Sequence, residues 1–496
     1  MNGQKLGPTE LIVIRPSGEI TLKASRARRR FQEVLRNNIS AALKARDLQC
    51  KLRMNGARIL LSTDLGAAAS HVLPKVFGIS SFAVVEATTS CDLDAIVSDG
   101  EAAFAEAVRG KSFAVRAKRS GNGKDRMGFT SVDIAQRLGA ALNQYGSVNL
   151  DSPDVAVQVE AETTQVRMYT NRHAGPGGLP LGVQGRALAL LSGGFDSAVA
   201  AWRLMRRGVA TDFLFCNLGG SAYERMVLQV AKVLVELWAH GQRPKFFVVD
   251  FNPVVDELRT KVRETYLQVA LKWQMYRTAE LIAVEEGHDV IITGEAIGQV
   301  SSQTLRNLAS IDTATTVPVM RPLIAHDKHE IIAEAEHIGT APLSARVREY
   351  CELSDARPIT AASTARVNDE IRKLDSESLV AVASSRRCLD LKKLGATELR
   401  TPYLFVDGFS EESVLIDCQP RHMFDAWHAP DAVHVDPASF TDGFRALDKE
   451  TPYVVYCTYG TQSPYLVEIM QQAGYEAYAF RGGLTAVKKA CEGRIK

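Results

Sequence analysis

The sequence predicts a multidomain chain, α+β at its N-terminal end and α/β thereafter, on three observations. Its 496 residues are enough for three or four domains of ordinary size. From Ala187 onward, short apolar runs alternate with longer stretches of helical spacing, the pattern of a parallel sheet covered by helices on both faces. Gly175-Pro-Gly-Gly-Leu-Pro-Leu-Gly182 is a Gly/Pro-rich linker ahead of that alternation, and the pattern restarts near Leu404.

Hydrophobic content of 46% and charged content of 23% are those of a globular chain. No apolar run approaches the length that spans a bilayer, and Met1-Asn2-Gly3-Gln4-Lys5 leads into a strand pattern instead of a signal-peptide core, so the chain reads as cytoplasmic with no membrane partner. The net charge of +2 hides an asymmetry: residues 1–172 carry 24 Lys+Arg against 17 Asp+Glu, and the remainder 35 against 40. A basic N-terminal third points to a polyanion-binding module. None of the eight cysteines forms a Cys-x-x-Cys pair, which gives no support for a zinc or iron–sulfur site.

In order, Leu11-Ile-Val-Ile-Arg-Pro-Ser-Gly reads as a strand and turn, followed by the basic run Lys23–Arg30 and an amphipathic helix over 31–45. Cys50–Met54, Asn55-Gly56 and Ala57–Leu61 form a hairpin signal. After Asp64 come a helix (67–76), a strand (82–87), a helix (93–108) and Ser112-Phe-Ala-Val-Arg-Ala-Lys-Arg-Ser-Gly, then a helix (131–145) and a strand (155–160). Arg116, Lys118, Arg119, Lys124 and Arg126 gather at a strand end and loop, where cations suit phosphate contacts that position a nucleic acid.

The central stretch is Ala187-Leu-Ala-Leu-Leu-Ser-Gly-Gly-Phe-Asp-Ser-Ala-Val-Ala-Ala-Trp202. Five apolar residues read as a buried parallel strand, and beyond the glycine turn Ala198, Val199, Ala201, Trp202 and Leu204 keep helical spacing. Strand, glycine turn and helix N-terminus together make an anion site, since the glycines let phosphate approach unpaired N–H groups. Neither the Walker A ending nor a three-glycine dinucleotide loop is present. Gly294-Glu295 closes a later strand, Gly298–Leu305 follows as a polar loop, and Asp327-Lys328 precedes a helix. Lys328 reads either as a neutraliser of developing phosphate charge or as half of a helix-flanking ion pair. In the C-terminal segment, Cys457 leaves a strand into a short loop ahead of a helix, where N–H groups and the helix dipole stabilise a thiolate or persulfide. Cys50, Cys91, Cys216, Cys418 and Cys491 read as buried, inert thiols.

Ser192-Gly-Gly-Phe-Asp-Ser197 resembles the Ser-Gly-Gly-x-Asp-Ser signature of the PP-loop ATP pyrophosphatases. Phe113-Ala-Val-Arg-Ala-Lys-Arg-Ser-Gly, Phe129-Thr-Ser and Asn149–Asp154 look like a THUMP domain, and the segment around Cys457 looks like a rhodanese domain. This order of modules resembles the tRNA 4-thiouridine synthetase (ThiI) family over essentially the whole chain. The resemblance implies a fold with an N-terminal ferredoxin-like domain (1–64) plus a THUMP module (65–173), a linker (174–182), a doubly wound parallel-sheet PP-loop pyrophosphatase domain (183–396) and a C-terminal α/β rhodanese domain (404–496).

It also implies the chemistry. ATP, with Mg²⁺, is expected against Leu190, Leu191, Ser192, Gly193, Gly194, Asp196 and Ser197, with Lys272, Gly294 and Gln303 also matching nucleotide-contacting positions. Asp196 and Lys328 are implied to support adenylation of a tRNA uridine at O4. Cys457, loaded as a persulfide by a cysteine desulfurase, is implied to deliver sulfur, and Cys351 to resolve it as a disulfide that a thiol reductant reopens. Thiazole synthesis for thiamine through a sulfur-carrier protein is an alternative output, and a homodimer is left open. An RNA-binding protein with a decayed centre is disfavoured by the intact signature and both cysteines. The chain departs from the family pattern at Tyr459, and at Cys418-Gln419 after Asp417, where arginines are expected; fewer cations predict a less stabilised Cys457 thiolate. Around Cys351 only the cysteine and the Pro358 region match.

Overall fold

The computed structural model describes residues 10–120, 127–347, 357–395, 404–410, 412–436, 443–458 and 462–492. The chain divides into two compact units, residues 1–184 with 206–208 and 240–242, and the rest.

The first unit holds two five-stranded sheets. In one, Glu10–Pro16 lies between Arg58–Thr63 and Ile79–Val85, antiparallel to both. Lys51–Asn55 and His173–Ala174 form its edges. The hairpin falls where Asn55-Gly56 signals it, with Asn55 opposite Arg58. Helix Ser25–Lys44 covers this sheet with Phe31, Leu35, Ile39 and Leu43. The helix begins six residues earlier than the apolar spacing indicates, because arginine is a good helix former and the basic run Arg26–Arg30 supplies its first turns. The strand Ile79–Val85 belongs to this sheet, so the ferredoxin-like unit extends past the expected boundary at 64; an apolar run does not disclose which sheet it joins.

The second sheet orders Ala87–Thr89, Val166–Tyr169, Val155–Glu162, Ser112–Ser120 and Ser147–Val148. Helices Leu93–Val108 and Ser131–Leu142 close its core around Phe104, Phe113, Ile134, Leu138 and Val157. Ion pairs join the two sheets: Arg15 to Glu160 at 2.7 Å, and Arg58 to Glu160 and Glu162 at 3.0 and 3.1 Å.

The second unit begins with a six-stranded sheet in the order Val319–Met320, Val290–Ile292, Arg186–Leu190, Ala210–Asn217, Lys245–Asp250, Arg387–Asp390. Its first five strands are parallel; the last, an edge the sequence pattern does not disclose, is antiparallel. From Arg186–Leu190 the chain winds first through two strands on one side and then returns to two on the other. The crevice at the carboxyl end of Arg186–Leu190 is therefore the topological switch point, where ligands bind in such sheets. A five-stranded, all-parallel sheet follows: Phe405–Val406, Ala477–Phe480, Tyr453–Tyr456, Val414–Asp417, Val433–His434. Its helix Ser463–Gln472 packs on helix Gly220–Trp238 of the larger sheet, with Arg225 and Glu468 3.7 Å apart. No helix among the described residues is long and apolar enough to cross a membrane.

Candidate active site

Leu190 ends the central strand, Gly193 takes φ +82° in the turn, and helix Phe195–Arg206 starts at once. The turn is braced from within: Ser192 N–H and Ser192 Oγ each lie 3.2 Å from Ser197 Oγ, and Tyr223 Oη donates to the Ser192 carbonyl at 3.0 Å. Gly294 ends the neighbouring strand against this loop. A Cβ there would sit 2.6 Å from both Asp196 C and Ser197 N, so only glycine admits the approach.

A pocket of about 740 Å³, counted out into the solvent at its mouth, opens over this junction. Its lining mixes apolar side chains with a few polar and charged groups, the character of a small-molecule site. Leu190, Leu191, Ser192, Asp196, Ser197, Lys272, Gly294 and Gln303 line it, drawn from two strand ends, two helices and a short helical turn. Gly193 and Gly194 form the turn beneath. Sequence reading missed Leu214, Phe215, Cys216, Leu218, Tyr223, Met275, Tyr276 and Thr293. The strand-end residues among them follow from the switch-point rule; Tyr223, Met275 and Tyr276 come from helices whose faces only the fold aims inward.

Glu295, also lining the pocket and almost fully buried, holds a polar network together. It accepts from Tyr276 Oη, from Thr293 Oγ1 at 3.1 Å and from Arg321 Nε at 2.8 Å, and Arg321 also pairs with Asp312. Burial, with the Glu295 charge beside it, pushes the Tyr276 phenol well above its ordinary range and keeps it a donor.

Lys328 Nζ reaches both carboxylate oxygens of Asp196 at 2.9 Å. Lys328 opens helix Lys328–Ile338, whose start is set by a capping box between Asp327 and Glu330. Lys328 forms the ion pair that one of its two sequence readings expects, and its partner is the carboxylate of the glycine-turn motif.

In the last sheet, Cys457 follows Tyr453–Tyr456 and is 2% exposed. Its Sγ accepts from Gln462 N–H at 3.3 Å, lies 3.8 Å from Ser463 Oγ, and shares a buried apolar cluster with Cys418. The neighbouring Cys418 thiol above all, with the Ser463 and Gln462 donors at the N-terminus of helix Ser463–Gln472, outweighs burial and draws the Cys457 pKa down to about 5. Neutral donors thus stand around Cys457 at the described positions, where the family pattern leads one to expect cations. Gln419 ties the two strand ends together: its Nε2 donates to Asp417 at 2.9 Å, and its Oε1 accepts from Thr458 in the Cys457 loop at 3.1 Å. Cys351 and Tyr459 lie outside the described residues.

Of the expected cationic cluster, Lys124 and Arg126 also lie outside the described residues. Arg116, Lys118 and Arg119 stand exposed at the end of strand Ser112–Ser120. Phe113, Val115 and Ala117 face the core, which puts Arg116 and Lys118 together on the opposite face and Arg119 on the core side. Arg119 donates to the Phe129 carbonyl beside helix Ser131–Leu142, and Arg116 to the Leu150 carbonyl.

The fold and sites define a class: a PP-loop protein with a ferredoxin-like and THUMP module before it and a rhodanese domain after it. Four family models match in that order: the ThiI ferredoxin-like domain (residues 11–83), the THUMP domain (91–171), the thiamine biosynthesis protein ThiI (182–376) and the rhodanese-like domain (401–490). The tRNA sulfurtransferase of Desulfurococcus amylolyticus is 36% identical over 98% of this chain and 99% of its own, and that of Thermoplasma acidophilum 34% over 93% and 92%. A solved 4-thiouridine synthetase–RNA complex with bound ATP, 30% identical, superposes with a TM-score of 0.68 over 77% of this chain and 99% of that one. The chain belongs to the tRNA sulfurtransferase family.

Proposed function

We propose that the protein is an ATP-dependent tRNA uracil 4-sulfurtransferase that makes 4-thiouridine. One observation carries the reading: a single compact unit combines a glycine-turn pocket at a sheet switch point with a strand-end cysteine held as thiolate. Neither half needs the other except in a reaction that both activates an oxygen and replaces it by sulfur. The RNA and ATP in the solved relative support the two substrates.

In the adenylation half, ATP lies with its phosphates on the Ser192–Ser197 turn, where the helix N-terminus offers N–H groups. Uridine O4 attacks the α-phosphorus and pyrophosphate leaves, converting a poor leaving group into AMP. Lys328 neutralises phosphate charge as it leaves the Asp196 carboxylate, and Lys272 and Gln303 position the nucleotide. Mg²⁺ would add further neutralisation. Asp196, which lines the pocket, is the carboxylate that would face such an ion carried on the phosphates.

In the sulfur half, the outer sulfur of a Cys457 persulfide, delivered by a cysteine desulfurase, attacks C4 and AMP leaves. Cys351 thiolate then attacks Cys457 Sγ, freeing 4-thiouridine and forming a Cys351–Cys457 disulfide, which a thiol reductant reopens. The basic N-terminal third and the Arg116–Arg119 strand end hold the tRNA backbone. A tRNA substrate fits a cytoplasmic location, and tRNA-binding and catalytic modules on one chain fit a homodimer in which one subunit presents tRNA to the other.

The test is mass analysis of tRNA nucleosides after incubation with unmodified tRNA, cysteine and a desulfurase, with and without ATP and Mg²⁺. 4-Thiouridine that appears only with ATP is the expected result; persulfide on Cys457 with no thionucleoside refutes the reading. A second output, sulfur for the thiazole of thiamine, is favoured by the match to the ThiI model. Thiamine-free growth that survives Asp196→Ala and fails with Cys457→Ser would establish that output as independent of adenylation.

A further inference from the structure

Cys418 reads from sequence as an inert buried thiol, and it is indeed 0% exposed. Its surroundings give it a chemical role. Strands Val414–Asp417 and Tyr453–Tyr456 run parallel with Asp417 opposite Tyr456, so the next positions, Cys418 and Cys457, are also neighbours across the ladder. The Cys418 N–H donates to the Tyr456 carbonyl at 3.0 Å, which continues the ladder to this point. Neighbouring strands lie about 4.8 Å apart and paired residues project to one face. That spacing falls inside the Cα–Cα range of disulfides, roughly 4.4–6.8 Å. Both side chains enter the same apolar cluster with Ile416, Val455, Val467 and Met470. The Cys418 thiol donates to the Tyr456 carbonyl at 3.0 Å, and the Cys457 sulfur is its ladder neighbour on the same face.

We infer that Cys418 and Cys457 are a redox pair: the Cys418 thiol attacks Cys457 Sγ when that sulfur carries a persulfide, closing a disulfide inside the rhodanese domain. The persulfide itself is the oxidant. The Cys418–Cys457 S–S bond forms, the bond between Cys457 Sγ and the outer sulfur breaks, and the Cys418 proton leaves with that sulfur as hydrosulfide. Two thiol-level sulfurs are oxidised and one sulfane sulfur is reduced, so atoms, charge and electrons balance. Burial and the neighbouring Cys457 charge hold the Cys418 thiol protonated well above its usual range while Cys457 is a bare thiolate. Loading Cys457 moves that charge outward, and the departing sulfur supplies an acceptor for the proton. Cys457 therefore has a resolving partner one strand away, separate from Cys351. A persulfide that finds no activated uridine is discharged and the active thiol is stored as a disulfide, safe from further oxidation.

The persulfide route rests on the sulfurtransferase reading, so the experiment has two arms, both in the full chain carrying Cys351→Ser. In the first, Cys457 is loaded anaerobically with a desulfurase and cysteine, freed of small molecules and held without ATP, tRNA or reductant. Released hydrosulfide is trapped with a bimane, and peptides are mapped without reduction. The expected result is a Cys418–Cys457 crosslink with one hydrosulfide per crosslink; Cys418→Ser and Cys418→Val each lose the crosslink and prolong the persulfide several-fold. In the second, unloaded protein receives one equivalent of hydrogen peroxide, which converts Cys457 to the sulfenic acid; Cys418 displaces water and gives the same crosslink. A loaded persulfide that decays equally fast in the Cys418 variants, or a map without the crosslink in either arm, overturns the inference. If Cys457 accepts no persulfide, the sulfurtransferase reading fails instead, and the peroxide arm still decides whether the two thiols pair.

Discussion

Gly294→Ala tests whether the strand end beside the glycine turn shapes the adenylation site. The added Cβ would stand 2.6 Å from Asp196 C and Ser197 N, and 2.8 Å from Asp196 O, whereas ordinary contact begins at 3.4 Å. All three are backbone atoms, so no side chain can swing away, and strand and turn must separate by about 0.8 Å. Such overpacking costs about 1–3 kcal/mol of stability, which leaves a domain of this size folded. The shift falls on the N–H groups and on Asp196, where a displacement near 1 Å costs about 10²-fold in rate. The assay is 4-thiouridine formation under saturating tRNA with ATP varied, alongside persulfide loading of Cys457 as an internal control, since that sulfur sits on a different sheet. The expected outcome is a fall in kcat of about 10²-fold with loading unchanged. A folded Gly294→Ala protein with wild-type kcat and ATP KM would refute the reasoning, because the junction would then tolerate the displacement that its backbone contacts forbid.

Other outcomes follow from the same geometry. Asp196→Ala is expected to abolish thiolation while Cys457 still takes up persulfide, both read by mass spectrometry. Cys457 should alkylate with iodoacetamide along a curve whose midpoint lies near pH 5: its folded pKa is lowered, so the reactive anion persists as pH falls until that value. A midpoint at or above 8 contradicts the role given to Gln462, Ser463 and Cys418. Lys118→Glu should weaken tRNA binding and lower the slope of log affinity against log salt by about one, whereas Arg119→Glu should first cost thermal stability through its bond to the Phe129 carbonyl. Cys351→Ser should leave the thiolated nucleoside linked to Cys457 as a mixed disulfide and release 4-thiouridine only when dithiothreitol opens it, measured by 4-thiouridine per enzyme with and without dithiothreitol.

Legibility differed by element. The central strand, its glycine turn and the following helix were readable because each state has its own local signature: an apolar run, two glycines, then helical spacing. The strand Arg387–Asp390 was not, since an edge strand of exposed and half-buried residues carries no apolar alternation, and its pairing is decided by Lys245–Asp250. The start of helix Ser25–Lys44 was misplaced because exposed arginines have helix propensity but no periodicity. For the pocket, the motif residues were local and visible, while Tyr223 and Tyr276 are unremarkable tyrosines until two helices aim them at one crevice.

By itself the sequence determined the order of modules, the glycine turn between strand and helix and the strand-end cysteine, because each rests on residue types at fixed short spacing, which the chain carries whatever its tertiary fold. Only the tertiary structure decided the interactions between segments distant in sequence. It placed Lys328 on Asp196, put Ile79–Val85 in the first sheet, and set Cys418 beside Cys457. The physical reason is that strand pairing and helix packing bring together residues tens to more than a hundred positions apart, and contacts of that kind leave no trace in local periodicity.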